Sequence, residues 1–450
     1  MLEGLEISEV GLREILSNNR IDAECYQKAH ILLSNEIIAY PHKTLSNIAE
    51  ITDGEHGSPK LDEESGIVYL SGHNIKNNFI DYSDIRYCDR SIHEKNARSA
   101  LKVNNVLLSI VGTVGNASVI YEDIEGNTDR NVATIKKIHG VNPYYLSTFL
   151  NSKYGKYQTR KLSTGNVQPL LNLIQVKSII VCLPSDIFQK EIEQLVRTSH
   201  DKAKQAFVLY NDAENVLLEE LNLKNWQPEN NSYNIKQLKE SFGAGGRLDA
   251  EYYQPKYDDL FEKLSHYRCN TISEIATIKK SIEPGSDAYC DSGVPFVRVS
   301  DITKFGISEP AVYLSRNDYN VSELRPKKDT ILLSKDGSVG IAYKVEEDMD
   351  CITSGALLHL SVYNQDFLPD YLTLVLNSII VQLQAERDSN GAIIQHWKPS
   401  EIEQVIIPYL PMETQRTIAQ KVQQSFAFRA ESKRLLEKAK SLVEQEIESR

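Results

Sequence analysis

The sequence predicts a mixed α/β (α+β) chain built from two copies of one unit, each copy closing on a long helix. Three observations carry this. A set of short motifs recurs in order along the chain. Each copy opens with about 165 residues of short β-like runs. Each copy then ends in a long amphipathic stretch with a heptad-like apolar seam. The repeat begins with Arg20-Ile21-Asp22-Ala23-Glu24 and Arg247-Leu248-Asp249-Ala250-Glu251, 227 residues apart. At the same spacing Tyr26-Gln27 matches Tyr253-Gln254, and Thr44–Ala49 (TLSNIA) matches Thr271–Ala276 (TISEIA). Gly66–Leu70 falls on Gly293–Val297, and Asn74-Ile75 on Asp301-Ile302. The spacing then slips by a loop's length. Leu108–Ala117 (LSIVGTVGNA) matches Leu333–Ala342 (LSKDGSVGIA), Tyr145-Leu146 and Asn151-Ser152 match Tyr371-Leu372 and Asn377-Ser378, and Pro184 matches Pro411.

Each element follows in order. Val106–Leu108, Ser118–Tyr121 and Ala133–Ile135 are β-like runs separated by Gly and Asn. Residues 143–154 and 369–383 have helical apolar spacing behind a proline. The long helices start after Pro184 and Pro411, since a proline suits a helix entry. The first seam is Ile192, Ser199, Ala203, Ala206, Tyr210, Ala213 and Leu217; the second is Ile418, Val422, Ser425, Arg429, Ser432, Leu436, Ala439 and Val443. Arg429 and Ser432 suit a seam poorly, so loose packing is expected at its middle. Helices of roughly 36–40 residues are about 55–60 Å long, more than a small domain covers, so antiparallel pairing with each other is expected. The polar, glycine-ended residues 223–246 read as a linker, which divides the chain into 1–183, a helix 184–222, the linker, 247–410, and a helix 411–450.

Composition narrows the function. The 450 residues are 41% hydrophobic and 25% charged, with 22 Gly and 15 Pro, which excludes a mostly disordered or collagen-like chain. No run of about 18 apolar residues occurs, and the acidic start MLEGLEISEVGLREI has no apolar export core, so neither a membrane nor a secreted location is expected. The six cysteines (Cys25, Cys88, Cys182, Cys269, Cys290 and Cys351) are far apart, with no CxxC pair for zinc. A net charge of −12 disfavours nucleic acid as a partner for the chain as a whole but leaves room for a local basic groove.

Catalytic motifs fail one by one. Asn142-Pro143-Tyr144-Tyr145 resembles the adenine-holding Asn-Pro-Pro-Tyr of amino-methyltransferases, but its second proline is missing and the matching Leu368-Pro369-Asp370-Tyr371 has no Asn. The shared feature, Pro-x-Tyr-Leu, opens a helix. Phe242–Gly246 (FGAGG) lacks a preceding apolar strand and reads as a flexible connector rather than a cofactor loop. Gly112/Gly115 and Gly337/Gly340 have no following Gly-Lys-Ser/Thr; they read as tight turns that are also placed to face a ligand. No H-E-x-x-H, paired-acid or G-x-S-x-G arrangement is present, so neither catalysis nor a metal or cofactor on this chain is expected.

Candidate DNA contacts come from cations, aromatics and amides. Lys153, Lys156, Tyr157, Arg160 and Lys161 cluster in the first copy, where Lys and Arg neutralise phosphates and Tyr stacks. The matching stretch of the second copy offers Arg387 and Asn390, able to read guanine and adenine respectively. Further polar loops supply His73 and Lys76, along with Asp53–Lys60, in the first copy and Lys279, Lys280 and Arg298 in the second. The competing reading for each is a solvated surface.

Taken with the duplication, Arg247–Tyr253 (RLDAEYY), Leu332–Gly340 (LLSKDGSVG) and Ile406–Ala419 (IIPYLPMETQRTIA), with the weaker Leu183-Pro184 and Gln189–Ile192, resemble the specificity (S) subunit of Type I restriction–modification systems over essentially the whole chain. The resemblance implies two target recognition domains related by a pseudo-twofold, each reading half of a split site in double-stranded DNA, with the paired helices as a spacer. It implies that methylation, and with it S-adenosylmethionine, belongs to partner methyltransferase (M) subunits and cleavage to restriction (R) subunits, in the cytoplasm. The chain departs from the pattern in its acidity and in Ile110-Val111, where the second copy has Lys335-Asp336. The rival readings are a specificity-like subunit of another DNA-modification or phage-defence system, an acidic anti-restriction mimic, an enzyme with an unrecognised site, and a purely structural helical spacer.

Overall fold

The computed structural model describes residues 7–18, 21, 26–57, 59–165, 168–228, 231, 233–319, 321–391 and 394–449. Arg20, Asp22–Glu24 and Cys25 therefore lie outside the described residues. Two compact units result, one from residues 1–204 with 429–450, the other from 205–428.

In the first unit a four-stranded antiparallel sheet runs in the order Glu50–Asp53, Val132–Lys136, Val106–Ser109, Ala117–Val119. Its two central strands are buried on both faces, as their largely apolar runs require. Val106, Leu108, Ala133 and Ile135 meet Tyr145 and Phe149 of the helix Pro143–Asn151. Leu107 and Val132 point the other way, onto Val68 and Leu70. Those belong to a small sheet in which Val68–Leu70 lies between Arg86–Tyr87 and, in parallel, Gly126–Thr128. A third pairing joins His42–Thr44 to Ile180–Cys182.

The second unit repeats this plan. Its main sheet is Ala276–Lys280, Leu357–Val362, Ile331–Ser334, Ala342–Lys344, and Cys269–Thr271 pairs with Ile406–Pro408. The small sheet gains a strand, in the order Tyr289–Cys290, Tyr313–Leu314, Val294–Val297, Ile352–Thr353, the last pair parallel. The architecture is thus α+β, and among the described residues it is antiparallel but for one small strand pair and one isolated bridge in each unit. The stretches with helical spacing each break into two helices. Pro143–Asn151 and Lys153–Leu162 are separated by Ser152, and Pro369–Asn377 and Ile379–Asp388 by Ser378, because each serine hydroxyl donates back to a carbonyl three residues earlier.

The same buried polar side chains brace both copies. Gln158 donates to and accepts from the backbone of Ile180 at 2.8 Å, as Gln384 does with Ile406 at 2.9 and 2.8 Å. Asn151 clips both backbone groups of Ala117, and Asn377 those of Ala342. The hydroxyl of Tyr145 donates to the carbonyl of Cys182, and that of Tyr371 to Pro408. Asn142 has the structural role expected of it: it caps its helix by accepting from the amides of Tyr144 and Tyr145.

The long helices are Asp186–Glu220 and Met412–Glu448, and they pair within each unit. In the first unit Ser199 and Ser432 share a hydrogen bond of 2.8 Å, and Lys202 faces Glu431. In the second, the Ser425 hydroxyl donates to the Ala206 carbonyl at 2.6 Å, and Lys421 faces Asp212. The expectation of loose packing around Ser432 is corrected. Ser432 is buried, and a side chain this small brings the backbones close enough for Ser199 to reach the Ser432 carbonyl at 3.0 Å. Leu435 is more buried than the expected seam residue Leu436.

The residues read as a linker pack in part on the second unit. Leu223 is buried, and the Trp226 indole packs on the second unit's core while donating to Asp259 at 2.8 Å. Phe242–Gly245, read from sequence as a flexible connector, forms a helical turn ended by Gly246 in the left-handed region. The five described cysteines are free thiols.

Candidate nucleic-acid interface

In each copy three chain segments meet beside the main sheet. The first is the turn after the third sheet strand. Gly115 and Gly340 close it by donating to Ser109 and Ser334, each at 2.9 Å. Both glycines have positive φ, +94° and +86°, and a Cβ at Gly115 would lie 2.5 Å from the Thr159 hydroxyl oxygen. The second segment follows the split helix. Thr164 pairs with Leu170, and Asn390 with His396. This segment lies against the glycine turn: the amide of Gly112 donates to Pro169, and that of Gly337 to Gln395. The third is the turn after Val68–Leu70 in one copy and after Val294–Val297 in the other, closed by Asn74 and Asp301, whose side chains accept from the amides of Ser71 and Arg298 at 2.9 and 2.8 Å.

In the first copy these segments enclose a cleft of about 530 Å³, bounded in part by His73, Arg86, Thr113, Asp129, Asn131 and Gln168. Asp129 is only 9% exposed and accepts from the Asn131 amide at 2.8 Å and its side-chain nitrogen at 2.9 Å. Burial pushes its carboxyl above the usual range, against the pull of those donors. Arg86 lies over the Tyr69 ring, 5.6 Å from its centroid, and among the described residues its guanidinium has no hydrogen-bond acceptor. His73 touches the Ser71 hydroxyl at 2.6 Å and Asp84 at 3.5 Å. The matching positions of the second copy are Ser300, Val312, Ser338, Ser354, Ala356 and Ile394. There the charge sits in the turn itself, where Asp336 is held between Lys335 and His396, the latter at 2.8 Å.

Of the twelve residues singled out from sequence, only His73 lines this cleft. Several of the others are used internally. Lys153 pairs with Glu448, while its amide donates to Glu444 at 2.7 Å. Lys156 turns beneath the glycine loop and donates to Asn116 at 2.6 Å; burial, then the nearby Lys440, pushes its pKa down to about 8. Tyr157 is buried against His30, with Lys161 donating to its hydroxyl at 3.0 Å. Arg387 is bound to Asp388 at 2.7 Å, with its guanidinium over Phe261 and Tyr252. Lys153, Lys156, Tyr157 and Arg387 are thus packing residues rather than free readers: both split helices turn these faces inward. Arg160 and Lys76 are exposed. Lys279 donates to the Glu323 carbonyl, Lys280 pairs with Glu283, Arg298 with Asp301, and Asn390 accepts from Arg247 at 2.8 Å.

Sequence reading missed Arg86, Asp129, Asn131 and Gln168, which no local spacing connects. It also missed that Ser163-Thr164-Gly165 matches Ser389-Asn390-Gly391, a repeat visible once the two halves are aligned 226 residues apart.

Residues 267–440 match the model of the family described as "Type I restriction modification DNA specificity domain". The chain is similar to the EcoBI specificity subunit of Escherichia coli, 30% identical over 139 residues, 31% of this chain and 29% of that protein. It thus spans less than a third of the curated relative it matches. Among solved structures it aligns with a Type I restriction–modification S subunit from M. genitalium at 13% identity, covering 90% of this chain and 95% of that one, with a TM-score of 0.44. It also aligns with the HsdS subunit of Thermoanaerobacter tengcongensis at 14% identity, covering 90% and 96%, with a TM-score of 0.28.

Proposed function

We propose that this chain is the DNA-recognition subunit of a Type I restriction–modification complex, with each copy reading one half of a bipartite site in double-stranded DNA. One observation carries the reading. The two copies share their buried braces, glycine turns and strand registers, yet differ at nearly every side chain around the cleft formed by those turns. A scaffold kept twice with different surface chemistry suits recognition of two different sequences. In this reading 1–183 and 247–410 are target recognition domains, 184–222 and 411–450 are spacer helices, and 223–246 joins the copies. The chain itself does no chemistry; methylation, with S-adenosylmethionine, and cleavage belong to partner M and R subunits acting on cytoplasmic DNA.

The test is methylation by the chain reconstituted with its partner methyltransferase subunits, on a DNA library randomised in both halves and in the gap. The expected product is a pair of defined half-sequences at a fixed gap. Methylation without sequence preference, or methylation by the partner alone with the same preference, overturns the reading. The net charge of −12 favours one alternative, an acidic DNA mimic; that alternative requires the chain to block a restriction complex while showing no salt-dependent binding to DNA.

A further inference from the structure

We propose that the cleft of the first copy reads a G·C base pair, with Arg86 donating to guanine and Asp129 accepting from the cytosine amino group. This rests on the DNA-recognition reading above and names where and what the first copy reads.

The argument begins with Arg86. Its guanidinium offers five N–H donors in a planar fork. Among the described residues none of them has an acceptor, while the aromatic face of Tyr69 holds the group in place. An arginine oriented but unsatisfied matches a ligand with two adjacent acceptors, as guanine presents through O6 and N7 in the major groove. Asp129 supplies the complementary half. Among the described residues its carboxylate is hydrogen-bonded by Asn131 alone, leaving lone pairs for one more donor, and cytosine N4 is the donor beside guanine O6 in the same pair.

The rest of the cleft argues against other ligands. A phosphate site needs converging cations, but here one arginine stands among the carboxylates of Asp84 and Asp129 and the amides of Asn131 and Gln168. Among the described residues no group of three His, Cys, Asp or Glu is placed to hold a metal ion. The second copy, on the same framework, replaces Arg86 by Val312 and Asp129 by Ser354 and so lacks both reading groups.

The experiment uses the chain with its methyltransferase partners on the randomised library, comparing wild type with Arg86→Gln, Arg86→Ala and Asp129→Asn. Each variant's fold is checked by its melting temperature. The expected result is that all three lose discrimination at one G·C pair of one half-site, by roughly 5- to 150-fold, with the other half-site and the gap unchanged. An unchanged selection in Arg86→Gln and Asp129→Asn overturns the proposal. So does uniform weakening at all sequences with a shallower salt dependence, which marks a phosphate contact. If Arg86→Ala fails to fold, the near-isosteric Gln and Asn variants decide alone. If wild type itself selects no sequence, the DNA-recognition reading fails, and this proposal with it.

Discussion

The two copies differ most instructively where the long helices dock on their sheets. In the first copy the contact is aromatic. Tyr121 stacks on His200 at 4.0 Å, His200 touches the Asn78 carbonyl at 2.8 Å through Nε2, and Arg197 lies over the Tyr144 ring. In the second, at the matching places, Glu346 stands for Tyr121, Asp370 for Tyr144 and Phe426 for His200, and Lys344 replaces Val119. Lys344 is 6% exposed and surrounded by Asp370 at 3.2 Å, Glu346 at 3.3 Å and Asp329 at 3.4 Å, while Gln423 donates to Asp370 at 2.8 Å. One scaffold accepts either an aromatic stack or a part-buried ionic knot at the same place. Burial works against the Lys344 charge, yet the carboxylates outweigh it and hold its pKa up; burial pushes the Glu346 carboxyl up.

Breaking the knot carries the largest expected effect. Lys344→Met leaves the buried Asp370, and the partly exposed Glu346, without their cation and is expected to cost about 3–5 kcal/mol, read as lost denaturant stability of the second unit. Replacing Lys344, Glu346 and Asp370 together by the first copy's Val, Tyr and Tyr is expected to recover most of that loss. If the single substitution costs less than about 1 kcal/mol, the knot is solvated and the comparison fails. Next come the shared braces. Gln158→Leu or Gln384→Leu strands a strand amide and carbonyl, and each is expected to cost about 1–3 kcal/mol. Hydrogen exchange at Ile180 or Ile406 should accelerate in the affected copy alone.

The smallest effect concerns pH. Burial holds the His200 pKa below its ordinary value, and Nδ1 has no partner among the described residues. The unfolded chain therefore takes up this proton first. Stability from His200 is full above an ordinary histidine pKa of about 6.5 and falls as pH drops below it. His200→Phe, which installs the second copy's residue, is expected to flatten that acid-side slope in the first unit while costing about 1 kcal/mol or less for the lost bond to Asn78. An unchanged slope in denaturation curves at pH 5 and 7.5 would place the titration elsewhere.

These particulars mark what a sequence discloses. The duplication was legible because the residues that repeat, such as Asn151/Asn377 and Tyr145/Tyr371, are braces that make the same hydrogen bonds in both copies. The long helices were legible from apolar spacing. The Lys153–Lys161 cluster misled because a list of charges carries no direction, and the helix turns Lys156 and Tyr157 inward. Ser432 misled because a small polar residue looks like a gap in a seam until the opposite backbone comes close. The cleft was invisible because Arg86, Asp129 and Gln168 come from three separate segments that only the fold brings together.

The composition of the first unit has a consequence for synthesis. Its core includes Ala439, Val443 and Ile447 beside Ile37, Tyr40 and Cys182, and its members span residues 1–204 and 429–450. A ribosome adding about 5–20 residues per second must build the whole second unit before that patch is delivered. For on the order of ten seconds or more, the nascent first unit presents an apolar face whose own cover has not yet been translated. Chaperone dependence, and sensitivity to a premature stop near the end of the message, should therefore concentrate in the half of the protein that is made first.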